Sequence, residues 1–493
     1  MREHWIEKEL GEIVFTTSGG TPSRNNPEYY RGDIPWVKSG ELDKGVIRDT
    51  EEKISEEAVR NSSAKKFPVG TLLFALYGAT IGKMAFLGVE AATNQAICGI
   101  FKNEKITLNF LYYFLQFKKT ELISQGTGGA QPNISQTILK KLSVPVAPLP
   151  IQRAIVSKIE TLFSDLDKGI EDLNKAKNQL VIYRQAVLKK AFEGGLTQMW
   201  RQSNRNDLSE LLKELKATKE SATKNKLIAK GEYFPDYKGE DLTFKTPNNW
   251  LNLPWKTICS NNKYAMKRGP FGSALKKQYF VEQGIPVYEQ GHAINDDPYR
   301  HRYFITTQKF EELKAFETNP GDMIISCSGV TLGRICLLPE DADKGVINQA
   351  LLKVDMDENI MLKEYFIHLF RSGTFQKLIF EKSLGTAMPN MVGMTELKEI
   401  PIPVPPIEEQ KQILKEIESR LSVCDKVEQN IEESLEKAKA LRQSILKKAF
   451  EGKLLTKEEI EKCKAEADYE PASVLLERIE GSRNEKMKKA KTK

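Results

Sequence analysis

The sequence predicts an α+β protein with two mixed α/β domains, related by a pseudo-twofold axis and separated by two long antiparallel coiled-coil helices. One observation is a duplication: Leu-Lys-Lys-Ala-Phe-Glu-Gly at 188–194 recurs at 446–452. Another is that about 40 residues before each copy carry apolar side chains at steps of three and four. Because a repeated period indicates repeated structural units, the chain is expected to contain two copies of one fold.

Further landmarks recur in the same order in both copies. The segment Gly70–Lys83 corresponds to Gly321–Arg334, and Asn94-Gln95-Ala96 corresponds to Asn348-Gln349-Ala350. Short β-type runs bounded by Gly, Pro and Asn, such as 71–77 and 322–326, predict mixed sheets. Residues 108–119 and 361–371 are predicted to form aromatic helices against them. By contrast, 41–66 and 292–318 share little beyond spacing, which predicts a common framework with different surfaces.

These landmarks predict six segments in order. The first domain precedes a long helix, a helical and basic linker, the second domain, another long helix, and a C-terminal helix with a basic tail. Their predicted bounds are 1–148, 149–195, 196–246, 247–405, 406–452 and 453–493.

Each long helix is predicted to bury one apolar stripe. A spacing of 3.5 residues is typical of coiled-coil packing, so the two helices should pair. Proline precedes each helix and glycine follows it, at Gly194-Gly195 and Gly452. About 40 residues at 1.5 Å each give a rod of roughly 60 Å. The predicted seam residues are Ile155, Ile159, Leu162, Leu166, Leu173, Leu180, Tyr183 and Val187 in the first helix, and Ile413, Ile417, Val427, Ile431, Leu441 and Ile445 in the second.

Composition narrows the class of protein. A length of 493 residues allows two to four domains, and the net charge of +7 permits nucleic-acid binding without requiring it. Six scattered cysteines without a CxxC spacing indicate neither a zinc ribbon nor a disulfide framework, and four dispersed histidines predict no metal site. The charged N-terminus and the absence of a long apolar run predict a cytoplasmic protein without a membrane span.

Two motifs that could carry chemistry are incomplete. Asn25–Tyr29 approaches the Asn-Pro-Pro-Tyr box of adenine methyltransferases, but Glu28 replaces the second proline and no Gly-rich cofactor loop precedes it. Gln125–Gly129 could cradle a phosphate, but no Gly-Lys-Ser/Thr follows, so a tight loop is the better interpretation. Catalytic residues are therefore not predicted.

Paired Gly-rich loops with polar and basic side chains are the remaining candidates. Glycine lets backbone approach a duplex, Lys and Arg reach phosphates, and Asn, Gln and Arg can pair with base edges. Turns in any mixed domain look similar, but these recur in both copies. The candidate DNA contacts are Gly20, Thr21, Ser23, Arg24, Lys38, Ser39, Tyr77, Thr80, Lys83, Gln131 and Asn133 in the first copy, and Lys267, Arg268, Ser273, Glu289, Gln290, His292, Ser328, Thr331, Arg334 and Asn390 in the second.

The whole arrangement resembles the specificity subunit of type I restriction-modification enzymes. The resemblance is carried by Gly19–Ser23, Ile34-Pro35-Trp36, Thr80–Lys83, the proline-rich segments ending in Pro406–Lys411, and the two Lys-Lys-Ala-Phe-Glu-Gly runs. It implies that two target-recognition domains each read half of a bipartite site in double-stranded DNA. It also implies that the helices set the gap between the halves and dock two methyltransferase subunits.

For cofactors, the resemblance implies that this chain binds none and is not itself an enzyme. S-adenosylmethionine, ATP and Mg²⁺ would serve the methyltransferase subunits and the restriction and translocase subunits. Two alternatives remain open from the residues: a stand-alone DNA adenine methyltransferase or nuclease, and a coiled-coil scaffold without DNA contact.

Overall fold

The repeated halves of the sequence form repeated sets of strands in the computed structural model. The structure describes residues 5–125, 133–204, 208–237, 242–271, 274–329, 331–380 and 391–477. It divides into two units. Unit 1 holds the described residues up to 174 and from 432 onward, and unit 2 holds those from 175 to 431. Each long helix is therefore divided between the units.

The first mixed domain lies in unit 1 and contains three sheets. Their strand orders are β1-β11, β2-β10-β7-β8-β4 and β5-β3-β9-β6. The strands are β1 (Ile6–Glu9), β2 (Thr16–Ser18), β3 (Ile34–Val37), β4 (Val46–Ile47), β5 (Glu52–Ile54), β6 (Lys66–Phe67), β7 (Leu72–Ala75), β8 (Met84–Leu87), β9 (Ala91–Thr93), β10 (Ile97–Ile100) and β11 (Ser143–Val146). The helices are α1 (Leu10–Ile13), α2 (Glu56–Arg60), α3 (Leu108–Ser124) and α4 (Gln136–Lys140).

A long helix and two shorter ones follow. The long helix is α5 (Leu149–Phe192), and the others are α6 (Gln198–Ser203) and α7 (Ser209–Lys224). After α5, the left-handed Gly194 (φ +71°) donates its N–H to the carbonyl of Ala191, and Gly195 donates to that of Lys190. This is the glycine termination that the sequence predicts.

The second mixed domain lies in unit 2 and repeats the same plan. Its sheets have the orders β12-β22, β13-β21-β18-β19 and β14-β16-β15-β20-β17. The strands are β12 (Leu251–Pro254), β13 (Met266–Arg268), β14 (Phe280–Val281), β15 (Ile285–Tyr288), β16 (Phe304–Ile305), β17 (Glu317–Thr318), β18 (Met323–Ser326), β19 (Ile335–Leu337), β20 (Gly345–Ile347), β21 (Leu351–Val354) and β22 (Pro401–Val404). The helices are α8 (Gln290–Asn295), α9 (Thr307–Glu312), α10 (Lys363–Arg371), α11 (Gly373–Phe380) and α12 (Met394–Glu399), followed by the long α13 (Ile407–Phe450) and by α14 (Lys457–Lys464).

The predicted strands and aromatic helices are confirmed. Strands β7 and β18 are buried at all four positions, as expected for central strands with both faces covered. The parallel strand pair β3–β9 of the first domain corresponds to the parallel pair β15–β20 of the second. The α+β class with two similar mixed domains is therefore confirmed.

Each long helix begins against the domain that precedes it. In unit 1, the fully buried Gln152 accepts the N–H of Thr107 (2.8 Å) and donates to the carbonyls of Ala147 (2.8 Å) and Lys105 (3.2 Å). In unit 2, Gln410 is equally buried and forms the same three types of bond, with Leu362, Pro405 and Ile360. Both N–H donors and the oxygen of each amide are used, which fixes each helix start to its own domain.

Each long helix ends against the domain of the other repeat. In unit 1, Phe450 of α13 packs between Phe110 and Phe114 of α3, with ring centroids 5.2 Å from each. In unit 2, Phe192 of α5 packs against Tyr365 at 5.3 Å. The repeated Lys-Lys-Ala-Phe-Glu-Gly run therefore supplies the aromatic side chain that completes each core.

The segments of α5 and α13 are antiparallel within each unit. In unit 1, Arg442 pairs with Asp167 and lies 4.7 Å over the ring of Phe163. In unit 2, Arg184 pairs with Asp425 (2.7 Å), whereas the earlier Lys177 pairs with the later Glu428 (3.8 Å). The predicted antiparallel pairing is confirmed.

The predicted apolar seam is only partly buried. Ile155, Ile159, Val187, Ile413, Ile417, Ile431 and Ile445 are buried, and Leu162, Leu166, Leu173 and Leu180 are half-buried. The prediction is wrong for Tyr183, Val427 and Leu441, which are 49%, 39% and 47% exposed. An α-helix has 3.6 residues per turn, so side chains spaced at 3.5 residues on average move gradually around its surface. Phe163, Leu188 and Leu446, which each follow another seam position, are buried as well.

Among the described residues, no helix combines the length and apolar character that a membrane span needs.

Candidate nucleic-acid interface

In unit 1 the loop after β2 lies against the turn between β9 and β10. Gly19 donates its N–H to the carbonyl of Ile97 (3.1 Å), and Gly20 donates to that of Thr93 (2.9 Å). A Cβ atom on Gly19 would lie 2.2 Å from the carbonyl oxygen of Thr93, so no larger residue fits without a backbone shift. The indole of Trp36 donates to the carbonyl of Gly20 at 3.1 Å. This fixes the start of the predicted DNA-contact loop.

Gln95 brings three predicted contact residues together. The hydroxyl of Thr21 donates to the Gln95 side-chain oxygen, and the side chain of Tyr77 is also hydrogen-bonded to Gln95. Tyr77 in turn forms an antiparallel β-bridge with Asn133. Gln95 was noted in the sequence only as a recurring landmark, and its recurrence was the signal that could have placed it in the site.

The turn between β7 and β8 and the turn between β18 and β19 have left-handed glycines at two matching positions. Gly78 and Gly82 have φ of +81° and +73°, and Gly329 and Gly333 have φ of +79° and +77°. The left-handed region favours glycine, which explains the repeated Gly-x-x-x-Gly spacing. Half-buried Thr80 and Thr331 occupy matching places, whereas Lys83 pairs with Asp43 at 3.2 Å and Arg334 is exposed.

The other two predicted cationic contacts of unit 1, Arg24 and Lys38, are paired with carboxylates. Arg24 lies 2.7 Å from Glu52 and 4.1 Å over the ring of Tyr30. Lys38 lies 2.8 Å from Glu51 and 3.2 Å from Glu52. The hydrogen bond from Arg24 lowers the pKa of Glu52, and that from Lys38 lowers the pKa of Glu51. These pairs are partly exposed, so exchange for phosphate oxygens would cost little. Ser23 is exposed and Ser39 half-buried beside them.

Unit 2 repeats the close approach of the glycine loop. Gly269 donates its N–H to the carbonyl of Leu351 (2.9 Å), and a Cβ atom there would lie 1.8 Å from the oxygen of Asn348. The preceding Arg268 donates to the carbonyl of Cys327 at 3.4 Å. Lys267 has its Nζ 5.3 Å from the ring centre of Phe316. The start of this loop is thus held as firmly as its counterpart in unit 1.

Gln290 connects two loops that the sequence placed in the interface. Its side-chain nitrogen donates to the hydroxyl of Ser326 at 2.6 Å and to the carbonyl of Ser328. The hydroxyl of Thr331 lies 3.4 Å away. The structure therefore brings Gln290, Ser328 and Thr331 together, near the Arg268 contact with Cys327.

His292 does not reach the surface. It is only 2% exposed, and its Nδ1 accepts the N–H of Glu289 at 2.9 Å. In unit 1, the buried carboxylate of Glu41 accepts the N–H of Lys38 (3.0 Å) in the same place. The structure thus removes His292 from the candidate interface, because its ring shapes the turn that carries Gln290. Glu289 is half-buried, and burial raises its pKa.

Three predicted contacts, Gln131, Ser273 and Asn390, lie outside the described residues, as do the predicted tight loop 126–129 and the basic tail from 483 onward. Within the described part of the chain, no group of three or more potential metal ligands lies together.

Comparison with known proteins identifies the family that this chain resembles. The family model for the type I restriction modification DNA specificity domain matches twice, at residues 2–176 and 261–437. The chain is 24% identical to the EcoBI type I restriction enzyme specificity subunit of Escherichia coli, over 93% of this chain and 84% of that one. It is 22% identical to the StySPI specificity subunit of Salmonella potsdam, over 98% and 96% of the two chains.

Solved structures share the fold. The HsdS subunit from Thermoanaerobacter tengcongensis superposes with a TM-score of 0.53 at 17% identity, covering 92% of this chain and 98% of that one. A chain from a study of complex assembly and conformational transition of the type I R-M system gives 0.62 at 19% identity, covering 92% and 99%. These likenesses extend over both repeats.

Proposed function

The chain belongs to the type I restriction modification DNA specificity family, and on that premise we propose that it reads a bipartite site in duplex DNA, with one half read by each unit. The observation that supports this is the repeated framework beneath different side chains. Gly19 and Gly269 approach the same turn in the two domains, yet Thr21 follows the first and Phe271 the second. A common scaffold with different exposed groups is what two different half-sites would require.

Recognition would use the polar groups that converge in each unit. In unit 1 these are Thr21, Tyr77 and Gln95, joined by hydrogen bonds, and in unit 2 they are Gln290, Ser328 and Thr331. Amide and hydroxyl groups can donate to and accept from base edges in the major groove. Arg24 and Lys38 would exchange Glu51 and Glu52 for phosphates, so part of the affinity should fall with rising salt.

The paired helices would set the gap between the half-sites. Both are 44 residues long, and in each unit they are joined by ion pairs as well as by apolar packing. A helix that is held along its length transmits a fixed rise of 1.5 Å per residue. Two methyltransferase subunits would dock on the helical region, and restriction and translocase subunits would complete the complex.

Catalysis is proposed to belong to those partners. S-adenosylmethionine, ATP and Mg²⁺ would bind there, and this chain would supply sequence recognition alone. Its role is then to choose the site at which a partner acts.

A domain exchange tests the proposal. Residues 1–145 are replaced by the corresponding part of a relative whose site is known, and the chimera is produced with its methyltransferase subunits. Mapping of methylated adenines across the host genome should show that one half of the motif changes while the other half and the gap persist. The reciprocal exchange of residues 247–405 should change the other half. An unaltered motif in both chimeras would contradict the proposal.

A further inference from the structure

Phe271 is an aromatic side chain displayed in the candidate interface of unit 2. It is 81% exposed, two residues beyond Gly269 on the loop that follows β13. Its carbonyl accepts the N–H of Ala274 at 3.4 Å. Contact between an aromatic ring and water is unfavourable, and a partner that covers the ring of Phe271 would remove that contact.

The backbone that carries Phe271 is fixed on its N-terminal side. Gly269 is hydrogen-bonded to Leu351 at 2.9 Å and lies too close to the Asn348 oxygen for any side chain. Pro270 is buried, and Arg268 donates to Cys327. The ring is therefore presented from an anchored strand end, as a group that inserts into a partner must be.

The surroundings of Phe271 are suited to nucleic acid. Lys267 and Arg268 lie four and three residues before it in the sequence, and cationic side chains at these positions can contact phosphates beside an inserted ring. Proteins that place an apolar side chain between base pairs unstack one step and bend the duplex. On the basis of the proposed function, we propose that Phe271 inserts into or stacks on one base step of the half-site read by unit 2.

The matching loop of unit 1 carries no aromatic side chain at this position. Counted from the matching Gly19, the place of Phe271 is taken by Thr21, whose hydroxyl is bonded to Gln95. A small side chain tied to the protein cannot wedge between bases. The distortion should therefore occur in one half-site and not in the other, which makes each half an internal control.

The experiment uses the chain assembled with its methyltransferase subunits and a duplex bearing the site found by mapping methylated adenines. 2-Aminopurine replaces, one at a time, the adenines of both halves and their flanks other than the methylated ones. With the unaltered chain, fluorescence should rise at one step of the unit 2 half. Phe271→Ala should abolish that rise and weaken binding on the order of 10- to 100-fold, the size of one stacking contact. Phe271→Trp should retain both.

Two controls make the result specific. Phe15→Ala removes a phenylalanine of unit 1 that is 67% exposed and lies at the opposite end of β2 from the loop, so binding should be unchanged. A mismatch at the affected step unstacks it in advance and should restore part of the binding of Phe271→Ala.

Two outcomes would overturn the proposal while leaving site recognition intact. In the first, Phe271→Ala binds the site as the unaltered chain does. In the second, it weakens assembly with the methyltransferase subunits in the absence of DNA, which would make the ring a protein contact. If instead the unaltered complex shows no preference for the mapped site, the proposed function itself fails.

Discussion

The indole N–H of Trp250 donates to the buried carboxylate of Glu409 over 2.9 Å in unit 2. The same carboxylate accepts from the hydroxyl of Thr197 and from Nε of Arg201, each at 2.8 Å. The side chain of Glu409 is fully buried, and that of Arg201 is 16% exposed. This contact ties the segment after α5 to the start of α13 and to the start of the second domain.

In unit 1 the three matching positions are occupied by apolar side chains. Trp5, Ile151 and Leu455 stand at the places of Trp250, Glu409 and Thr197, around a cavity of about 320 Å³. The two repeats therefore satisfy one packing requirement by different chemistry. At this place the buried carboxylate of Glu409 accepts three hydrogen bonds in unit 2, whereas unit 1 leaves space.

Removal of the Glu409 carboxylate should destabilise unit 2 strongly. Glu409→Ala removes the carboxylate partner of the half-buried Arg201 and the acceptor of the Trp250 indole N–H, a type of loss that costs about 3–5 kcal/mol. Chemical denaturation followed by tryptophan fluorescence should show it. The matched control is Glu408→Ala, which removes an exposed carboxylate that pairs with Lys411 at 2.7 Å and should change stability by less than about 0.5 kcal/mol. Equal effects of the two variants would disprove the structural role of Glu409.

The close contact between Gly269 and the Asn348 carbonyl in unit 2 gives a second prediction. In Gly269→Ala the new methyl group would meet the Asn348 oxygen at 1.8 Å, so the loop must move, at a cost of roughly 1–3 kcal/mol. Gly291→Ala is the control, because no atom lies within 4 Å of a Cβ there and the residue is helical. Thermal unfolding should separate the two variants. A Gly269→Ala protein as stable as the control would show that the loop is not held as described.

Much of the fold was predictable because it depends on local chemistry. Gly194 and Gly452 terminate the long helices with φ of +71°, a conformation that glycine adopts readily. The buried apolar strands β7 and β18 follow from their composition. The repeated phenylalanine was visible as a motif, but its contact with the domain of the other repeat depends on tertiary packing.

The candidate site was less predictable because its side chains contact residues that are distant in the sequence. Arg24 pairs with Glu52, and Thr21 bonds to Gln95, 74 residues away. No local pattern encodes these distances. His292 was misplaced because a polar residue in a Gly-rich loop indicates the surface, whereas here the ring accepts a backbone N–H inside the turn.

Acid should destabilise unit 2 through His292. Burial lowers the pKa of His292 below its ordinary value of 6.5, and the pKa of His368 is lowered by burial as well. The unfolded chain therefore binds protons before the folded one, and stability falls as the pH drops below about 6.5. His292→Asn keeps an acceptor near the Glu289 N–H and cannot titrate.

Differential scanning calorimetry between pH 5 and pH 7.5 measures this effect. The unfolding temperature of the unaltered chain should fall more steeply toward pH 5 than that of His292→Asn. At pH 7.5 both histidines are neutral in either state, so the pH effect vanishes there. Parallel curves over the whole range would exclude His292 as a source of acid sensitivity.

The long helices give the last prediction, which concerns the gap between half-sites. Seven residues inserted in both α5 and α13, after 174 and after 431, keep the apolar stripes in register and add about 10.5 Å to each helix. At 3.4 Å per base pair this corresponds to about three base pairs. Genome-wide mapping of methylated adenines should show the same two half-sites with a gap about three base pairs longer, or loss of methylation if the added rotation turns one unit away from its groove. Insertion into α5 alone shifts its stripe against α13 and should abolish site-specific methylation. A doubly extended chain that methylates the original motif with its original gap would refute the idea that the helices measure it.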